Sequence, residues 1–497
     1  MWRKHLFLIS LFTLSACGLS ASPYHFRYTP QCAAAYRSFL SLQSADGRAA
    51  LQQAFREDPD NLLAVYISDY DDFFLLLLNG DPADLEARKD NLDARVRMLD
   101  KAGDKDPYYR LCKSGIYLHW ALIYGRFGDY FRAALSFRRS YVLIRENKRL
   151  FPAFTPNDVF YGLAETVAGT IPDDYKWLAT ILGMKGNVNR GIARIVAYIN
   201  ENPSHDAFLR REAVLAWCYL AFYLQPQKET VWKYINSTQF PIHDNLLYTL
   251  VKANLALNYR KADAALQTLQ YAQTLPEYPR YPVMDYEMGN ALLLRLDPDC
   301  VTYLQRYVSR HRSSLYIKDA WQQMALSWYL QQNMTRARYC REQVLLSGGR
   351  QTDADRQAQR FAEMAGWPHP GLLRARLLCD GGYYRQAMEV MHTADKAAFT
   401  AADSVEYHFR MGRIHDELGD DNQALACYQA AIRAGRSRKE HFAARSALQM
   451  ALIYEQRGRT QEAAARFREC LSMRGHDFQA SIDQQARAGL SRLEGKL

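Results

Sequence analysis

The sequence predicts an all-α chain, a right-handed solenoid of stacked helical hairpins, and three observations carry that prediction. One spacing of large, small and aromatic residues recurs from about Tyr117 to Leu471. No stretch alternates apolar and polar residues for long, as a half-buried strand would. No low-complexity linker divides the 497 residues. That length would otherwise suggest two or three domains, but a solenoid's core grows with each repeat.

Two segments show the spacing well. Tyr407 to Ala431 carries His408, Met411-Gly412, His415, Gly419, Ala424, Tyr428 and Ala431. Ala447 to Cys470 carries Ala447, Met450-Ala451, Tyr454, Gly458, Ala463, Phe467 and Cys470. This resembles the tetratricopeptide pattern, in which one helix offers large, small and aromatic residues and the next offers small, aromatic and small. A single unit cannot bury its apolar face alone, so tetratricopeptide-type hairpins must stack.

From the N-terminus, Trp2-Arg3-Lys4-His5 is basic and Leu6 to Phe12 is apolar, the arrangement of an export signal. The apolar run is too short to span a bilayer. Leu14-Ser15-Ala16-Cys17 follows and resembles the bacterial lipobox. That resemblance implies a signal peptide over 1–16 and lipidation of Cys17, whose thiol is the nucleophile for the lipid. The rival is cleavage after Leu19-Ser20-Ala21, which releases a soluble protein. Residues 17–100 read as an N-terminal helical region, with paired helices at Cys32 to Phe55 and Asn61 to Leu78. Phe73 to Leu78, bounded by Asp71, Asp72 and Asn79, reads as a buried helix.

Residues 101–476 read as the superhelix. Tyr117, Trp120-Ala121, Tyr124, Gly128, Ala133, Phe137 and Ser140 open it. Steps from Ala253 to Gly289, Ala325, Ala375, Gly412 and Ala451 are 36, 36, 50, 37 and 39 residues. The long step leaves room for an extra helix at about Asp353 to Met364. Trp367-Pro368-His369-Pro370 then makes a rigid elbow. Residues 477–497 read as an amphipathic capping helix, with Phe478, Ile482, Ala486 and Leu490 on one side.

Phe160 to Ile199 departs from the repeat. Pro172 ends a helix, Asp173 or Asp174 can cap the next, and Gly183 to Asn187 makes a tight turn. Ile171, Pro172, Leu182, Gly183, Met184, Gly186, Asn187 and Gly191 resemble the signature of the tetratricopeptide-repeat 39 and inclusion-body-clearance family. Thr170 and Met184 depart from it, and Arg190 falls later than the family arginine. The resemblance implies a non-enzymatic helical-repeat protein and carries no biochemical activity with it.

The formal net charge is +10. Clusters at Arg138, Arg139, Arg145, Lys148, Arg149, at Arg306, Arg310, Arg312, and over Arg433 to Lys439 read as solvated helix faces. Export argues against nucleic acid and leaves anionic headgroups or an acidic partner as functional alternatives. Beyond Cys17, eight scattered cysteines form no paired CxxC, so most read as small buried hydrophobes. No hydrolase, P-loop, dinucleotide or zinc-protease motif occurs, so no catalytic residue, metal site or cofactor is expected. His408 and His415 share a helix side but sit at aromatic repeat positions and read as packing. Asp69 and Asp72 share a side and read as a solvated helix start rather than an acid–base pair. Asp173, Asp174, Lys176, Lys185 and Arg190 read as a local ion-pair network, with a recognition patch as the functional alternative.

Repeat geometry places a concave groove at fixed offsets on the first helices. Those offsets select Tyr286, Asn290, Gln322, Tyr329, Arg376, Arg413, Asp416 and Glu455, a mixed polar set suited to a peptide or protein segment. The expected function is a lipid-anchored scaffold mediating protein–protein interaction at the cell envelope, on the periplasmic face of the outer membrane, as in bacterial tetratricopeptide-repeat lipoproteins. The alternative is a nutrient- or glycan-binding outer-membrane lipoprotein, which would show a loop-rich second lobe.

Overall fold

The computed structural model describes residues 23–171 and 184–494. The leader, Cys17, and Pro172 to Gly183, including Asp173, Asp174 and Lys176, lie outside the described residues. α1 (Pro30–Phe39) and α2 (Ser44–Glu57) form the first hairpin, followed by α3 (Leu62–Ile67), α4 (Asp69–Asn79), α5 (Pro82–Arg88) and α6 (Asn91–Leu99). α7 (Pro107–Arg126) pairs with α8 (Tyr130–Leu150), and α9 (Asn157–Gly169) packs on α10 (Val188–Glu201). α11 (Arg210–Leu224) and α12 (Lys228–Ile235) follow. Next come the hairpins α13 (Leu246–Asn258) with α14 (Ala262–Ala272), α15 (Val283–Leu294) with α16 (Cys300–Arg310), and α17 (Ile317–Leu330) with α18 (Met334–Leu346). α19 (Asp353–Glu363) is the inserted helix. α20 (Pro370–Gly381) with α21 (Tyr384–Thr393), α22 (Ala401–Glu417) with α23 (Asp421–Gly435), and α24 (Phe442–Gln456) with α25 (Thr460–Ser472) complete the hairpins before α26 (Gln479–Glu494). The fold is the all-α solenoid of tetratricopeptide-type hairpins that the spacing predicts.

Local chemistry sets the helix starts. Asp129, Asn333 and Asp420 each accept a hydrogen bond from the backbone N–H three residues on, satisfying a donor the helix leaves open. Pro107 and Pro370 occupy the first position of α7 and α20, where a missing N–H costs nothing. The turns inside the hairpins need a left-handed residue. Gly128, Gly419 and Gly458 supply it at φ 79°, 79° and 71°. Arg260, Leu296 and Gln332 adopt φ 58°, 64° and 61° in the central hairpins, so the glycine cue is missing there although the turn is kept.

One apolar core runs from Cys32 to Cys340 and takes in Leu373 and Leu377. A second cluster joins α20, α21 and α22, and a third runs from Val405 to Leu493. The division has a cause. α19 packs on both α17 and α18, with Val344, Ala358 and Ala362 as a small core of their own. The face on which the next hairpin would stack is therefore covered. α20 packs against α15 instead, and Gly382 comes so close to the Arg260 carbonyl that a Cβ there would lie 2.1 Å from its oxygen.

α26 closes the C-terminal core with Ile482, Ala486 and Leu493 buried. Phe478 does not join that face. It precedes the helix at φ 58° and is 40% exposed. Seven of the eight described cysteines are buried, Cys427 is half-buried, and all eight are free thiols. No described helix is long and apolar enough to cross a membrane.

Candidate functional site

The C-terminal hairpins bring charged side chains together because their first helices approach closely. Ala375, Gly412 and Ala451 are the small residues of α20, α22 and α24, and all three are buried. At Gly412 a Cβ would lie 2.6 Å from the fully buried Tyr428 ring of α23. One residue beyond the small position stand Arg376 and Arg413, as the repeat offsets predict.

Two arginines outside those offsets join them. Arg410 Nε and Nη2 donate to Glu406 Oε1 at 3.0 and 2.9 Å. Arg445 Nη1 donates to Gln485 Oε1 at 3.1 Å. Burial pushes the Arg376 guanidinium below its usual range, and the charge of Arg410 pushes it further. Burial and Arg413 do the same to Arg445. Arg413 Nη1 lies 3.6 Å from Asp380, while its Nη2 is buried without a hydrogen-bond partner. The row is a largely buried cationic cluster, partly neutralised by Glu406 and Asp380, with one donor left over at Arg413. The sequence held a signal for it in the three-residue spacing of Arg410 and Arg413, which puts both on one helix side.

Acids line the neighbouring cleft. Asp416, Glu417, Gln449, Leu452, Ile453 and Gln456 enclose about 360 Å³ between α22 and α24. Asp416 accepts from the Tyr428 hydroxyl at 3.2 Å, and burial raises its pKa. Glu417 pairs with Arg260 and accepts from Tyr384 at 3.0 Å. Glu455 is held by Arg492 of α26 through bonds of 3.0 and 2.8 Å, so the capping helix occupies it.

The other four predicted groove residues lie across the α19 insertion and do not join this set. Tyr286 is 8% exposed and donates to Asp319 at 2.7 Å inside the wall. Tyr329 stacks on Trp367 with centroids 4.8 Å apart and donates to the Pro368 carbonyl at 2.9 Å, holding the elbow. Asn290 and Gln322 are half-buried on α15 and α17. His408 is half-buried, and His415 lies 3.5 Å from Asp420 at the hairpin turn.

Asp69 and Asp72 correct the expectation of a solvated face. Both sit in the first turn of α4, yet they are 0% and 5% exposed. Asp69 accepts from Trp120 Nε1 and Arg95 Nη1, each at 3.1 Å, and lies 2.9 Å from His119 Nδ1. His119 Nε2 faces Glu212 at 3.4 Å. Asp72 pairs with Arg95 at 2.7 Å and Arg88 at 3.1 Å. The sequence could not show this, because Arg95, His119 and Glu212 come from three distant segments. Among the described residues, no group of three or more His, Cys, Asp and Glu could hold a metal ion.

The departure at Phe160 to Ile199 is a close helix crossing. A Cβ on Gly191 would lie 2.5 Å from the Gly162 carbonyl oxygen, and one on Gly162 would lie 2.6 Å from that of Gly191. Asn187 caps α10 by accepting from Arg190 N at 2.9 Å. Arg190 and Arg194 both pair with the buried Glu165.

Residues 403–475 match the family model described as tetratricopeptide repeat. No curated protein matches the chain. Among solved structures, the human IFIT1 dimer with m7Gppp-AAAA is similar at 12% identity, covering 95% of this chain and 90% of that one, with a TM-score of 0.30. The APC/C hetero-tetramer Cut9–Hcn1 is similar at 10% identity, with 96% and 99% covered and a TM-score of 0.23. Naa15/Naa10 bound to HypK-THB is similar at 11% identity, with 93% and 78% covered and a TM-score of 0.21.

Proposed function

We propose that the protein is a lipid-anchored scaffold at the cell envelope, on the periplasmic face of the outer membrane, and that its C-terminal groove holds an acidic stretch of a partner protein. The tetratricopeptide repeats themselves suggest a non-catalytic protein-interaction scaffold. The observation that carries the groove reading is the row Arg376, Arg410, Arg413 and Arg445, in which Arg413 Nη2 has no partner. A carboxylate held beside the row would offset the charge of guanidiniums that stand close to one another. Hairpins continue through the described C-terminal residues, without the loop-rich lobe that the glycan-binding alternative expects.

The test is in-cell crosslinking followed by capture, comparing the parent with Arg376→Gln/Arg413→Gln. Neutralisation suits these half-buried positions, because a reversed charge would stand beside Asp380 and Asp416. Capture should fall steeply and weaken with salt, while helicity and Tm stay close to the parent's. Capture that survives neutralisation, but is lost when Arg138 and Arg139 are reversed, would move the site to the other end of the chain.

A further inference from the structure

Helix α8 carries two opposite stripes. Ser136, Ser140, Ile144 and Asn147 are buried against the body of the protein. On the other side, Phe131, Leu135, Arg138, Val142, Arg145 and Arg149 recur at steps of four and three and make one outward line. Its first turn is apolar and exposed: Tyr130 is 65%, Phe131 75% and Leu135 43% accessible. The remainder is cationic, and Arg132 and Arg139 flank the line, both exposed. Arg138 and Arg149 form no ion pair with any described residue, although carboxylates are common elsewhere on the molecule. Glu146 lies beside the line but faces Arg110 at 3.8 Å.

We infer that the outward face of α8 docks on an anionic lipid surface, with Phe131 and Leu135 entering the headgroup boundary and Arg138 and Arg149 meeting lipid phosphates. Charge complementarity selects this occupant. The line holds no carboxylate, and Arg138 and Arg149 stand on it without ion pairs to described residues, so its partner is a polyanionic surface. The apolar part is two or three side chains, too small for the core of a stable protein–protein interface. An aliphatic leucine beside phenylalanine suits hydrocarbon better than a nucleic acid base. The combination of aromatic and leucine side chains with a row of arginines is that of a helix lying in a membrane interface.

The entry of the chain agrees with this. Phe26 stacks on Tyr108 at the start of α7 with centroids 6.1 Å apart, and Tyr108 meets Phe154, just past the end of α8, at 4.9 Å. The N-terminal segment therefore reaches the body at the Arg149 end of α8. Phe131 stands at the other end, roughly 30 Å away at 1.5 Å per residue. An N-terminal lipid and the α8 face would hold the molecule at two points. The inference stands whether or not Cys17 is lipidated, and its test removes that thiol.

The full-length chain carrying Cys17→Ala is mixed with phosphatidylcholine vesicles, with and without photoactivatable phosphatidylglycerol, and crosslinked residues are read by mass spectrometry. Crosslinks should map to Tyr130 to Arg149 on the anionic vesicles and weaken with salt. Phe131→Ser/Arg138→Glu should cut them by about tenfold or more with an unchanged circular dichroism melt, since each nearby basic residue strengthens attraction to an anionic surface. Crosslinks confined to residues 1–22, or unaffected by the double variant, would overturn the inference. So would a variant that turns a dimer into a monomer without lipid, or one that loses nucleic acid binding instead.

Discussion

His119 Nδ1 lies 2.9 Å from Asp69 Oδ2, and both side chains are buried at the junction of α4 and α7. The other ring nitrogen faces Glu212 on α11, and Tyr70 donates to the same carboxylate. Three segments far apart in sequence are joined through one imidazole. Burial alone would lower the His119 pKa, but its bonds to Asp69 and Glu212 outweigh this and raise it to about 9.

The consequence is a pH-dependent clamp. A histidine whose folded pKa is raised contributes its stability fully below the unfolded value of 6.5, and loses it as pH rises through about 9. The shift corresponds to about 3 kcal/mol. His119→Gln should therefore lower Tm strongly at pH 6 and much less above pH 9. A deficit that stays constant across that range would show that the ring acts by packing alone.

Two glycines should respond with opposite signs. Gly191→Ala places a Cβ 2.5 Å from the Gly162 carbonyl oxygen and 2.8 Å from Thr166 N, where backbone has to give way. It should destabilise by about 1–3 kcal/mol. Gly125, in α7, has nothing within 4 Å of its Cβ position, so Gly125→Ala should stabilise by about 0.5–1 kcal/mol. Thermal melts of the two variants check both signs.

Gly412→Leu should loosen the C-terminal hairpins first. The added side chain meets the buried Tyr428 ring, and Met411, Ile414 and Phe409 link that position to the second and third cores. Hydrogen exchange should rise over α20 to α26 while α1 to α18 keep their protection. Uniform loosening along the chain would contradict the division at α19.

Cys17→Ala tests the anchor. It should leave an unprocessed precursor or release the protein from the membrane fraction, allowing for weak residual attachment through α8. Normal processing with full membrane attachment would defeat the lipidation reading.

Hairpin identity and register were legible in the sequence, because packing a small residue against a neighbouring helix is a local demand that recurs at each repeat. Ala375, Gly412 and Ala451 are all buried at their predicted positions, and Gly412 lies against the Tyr428 ring. The inserted helix and the elbow at Trp367 to Pro370 were legible for the same reason, as an irregular step and a pair of prolines. The offset residues do not share one setting: Arg376, Arg413 and Asp416 lie in the C-terminal hairpins, whereas Tyr286 is bonded to Asp319 and Tyr329 is stacked on Trp367. Offsets from a repeat say which way a side chain leaves its own helix, but they do not say what packs over it.

Spacing along one chain is enough to dictate the all-α repeat and its small helix-contact positions. That α19 covers the stacking face and turns α20 onto α15 emerges only once the helices are packed. The same holds for the burial of Asp69 with His119 near Glu212, and for Arg410 and Arg445 joining a cationic row. Each of those outcomes depends on which distant segments become neighbours, and on whether burial leaves a charge paired or exposed. Periodicity encodes contacts within a hairpin, whereas desolvation and ion pairing are set by the surroundings that the finished fold supplies.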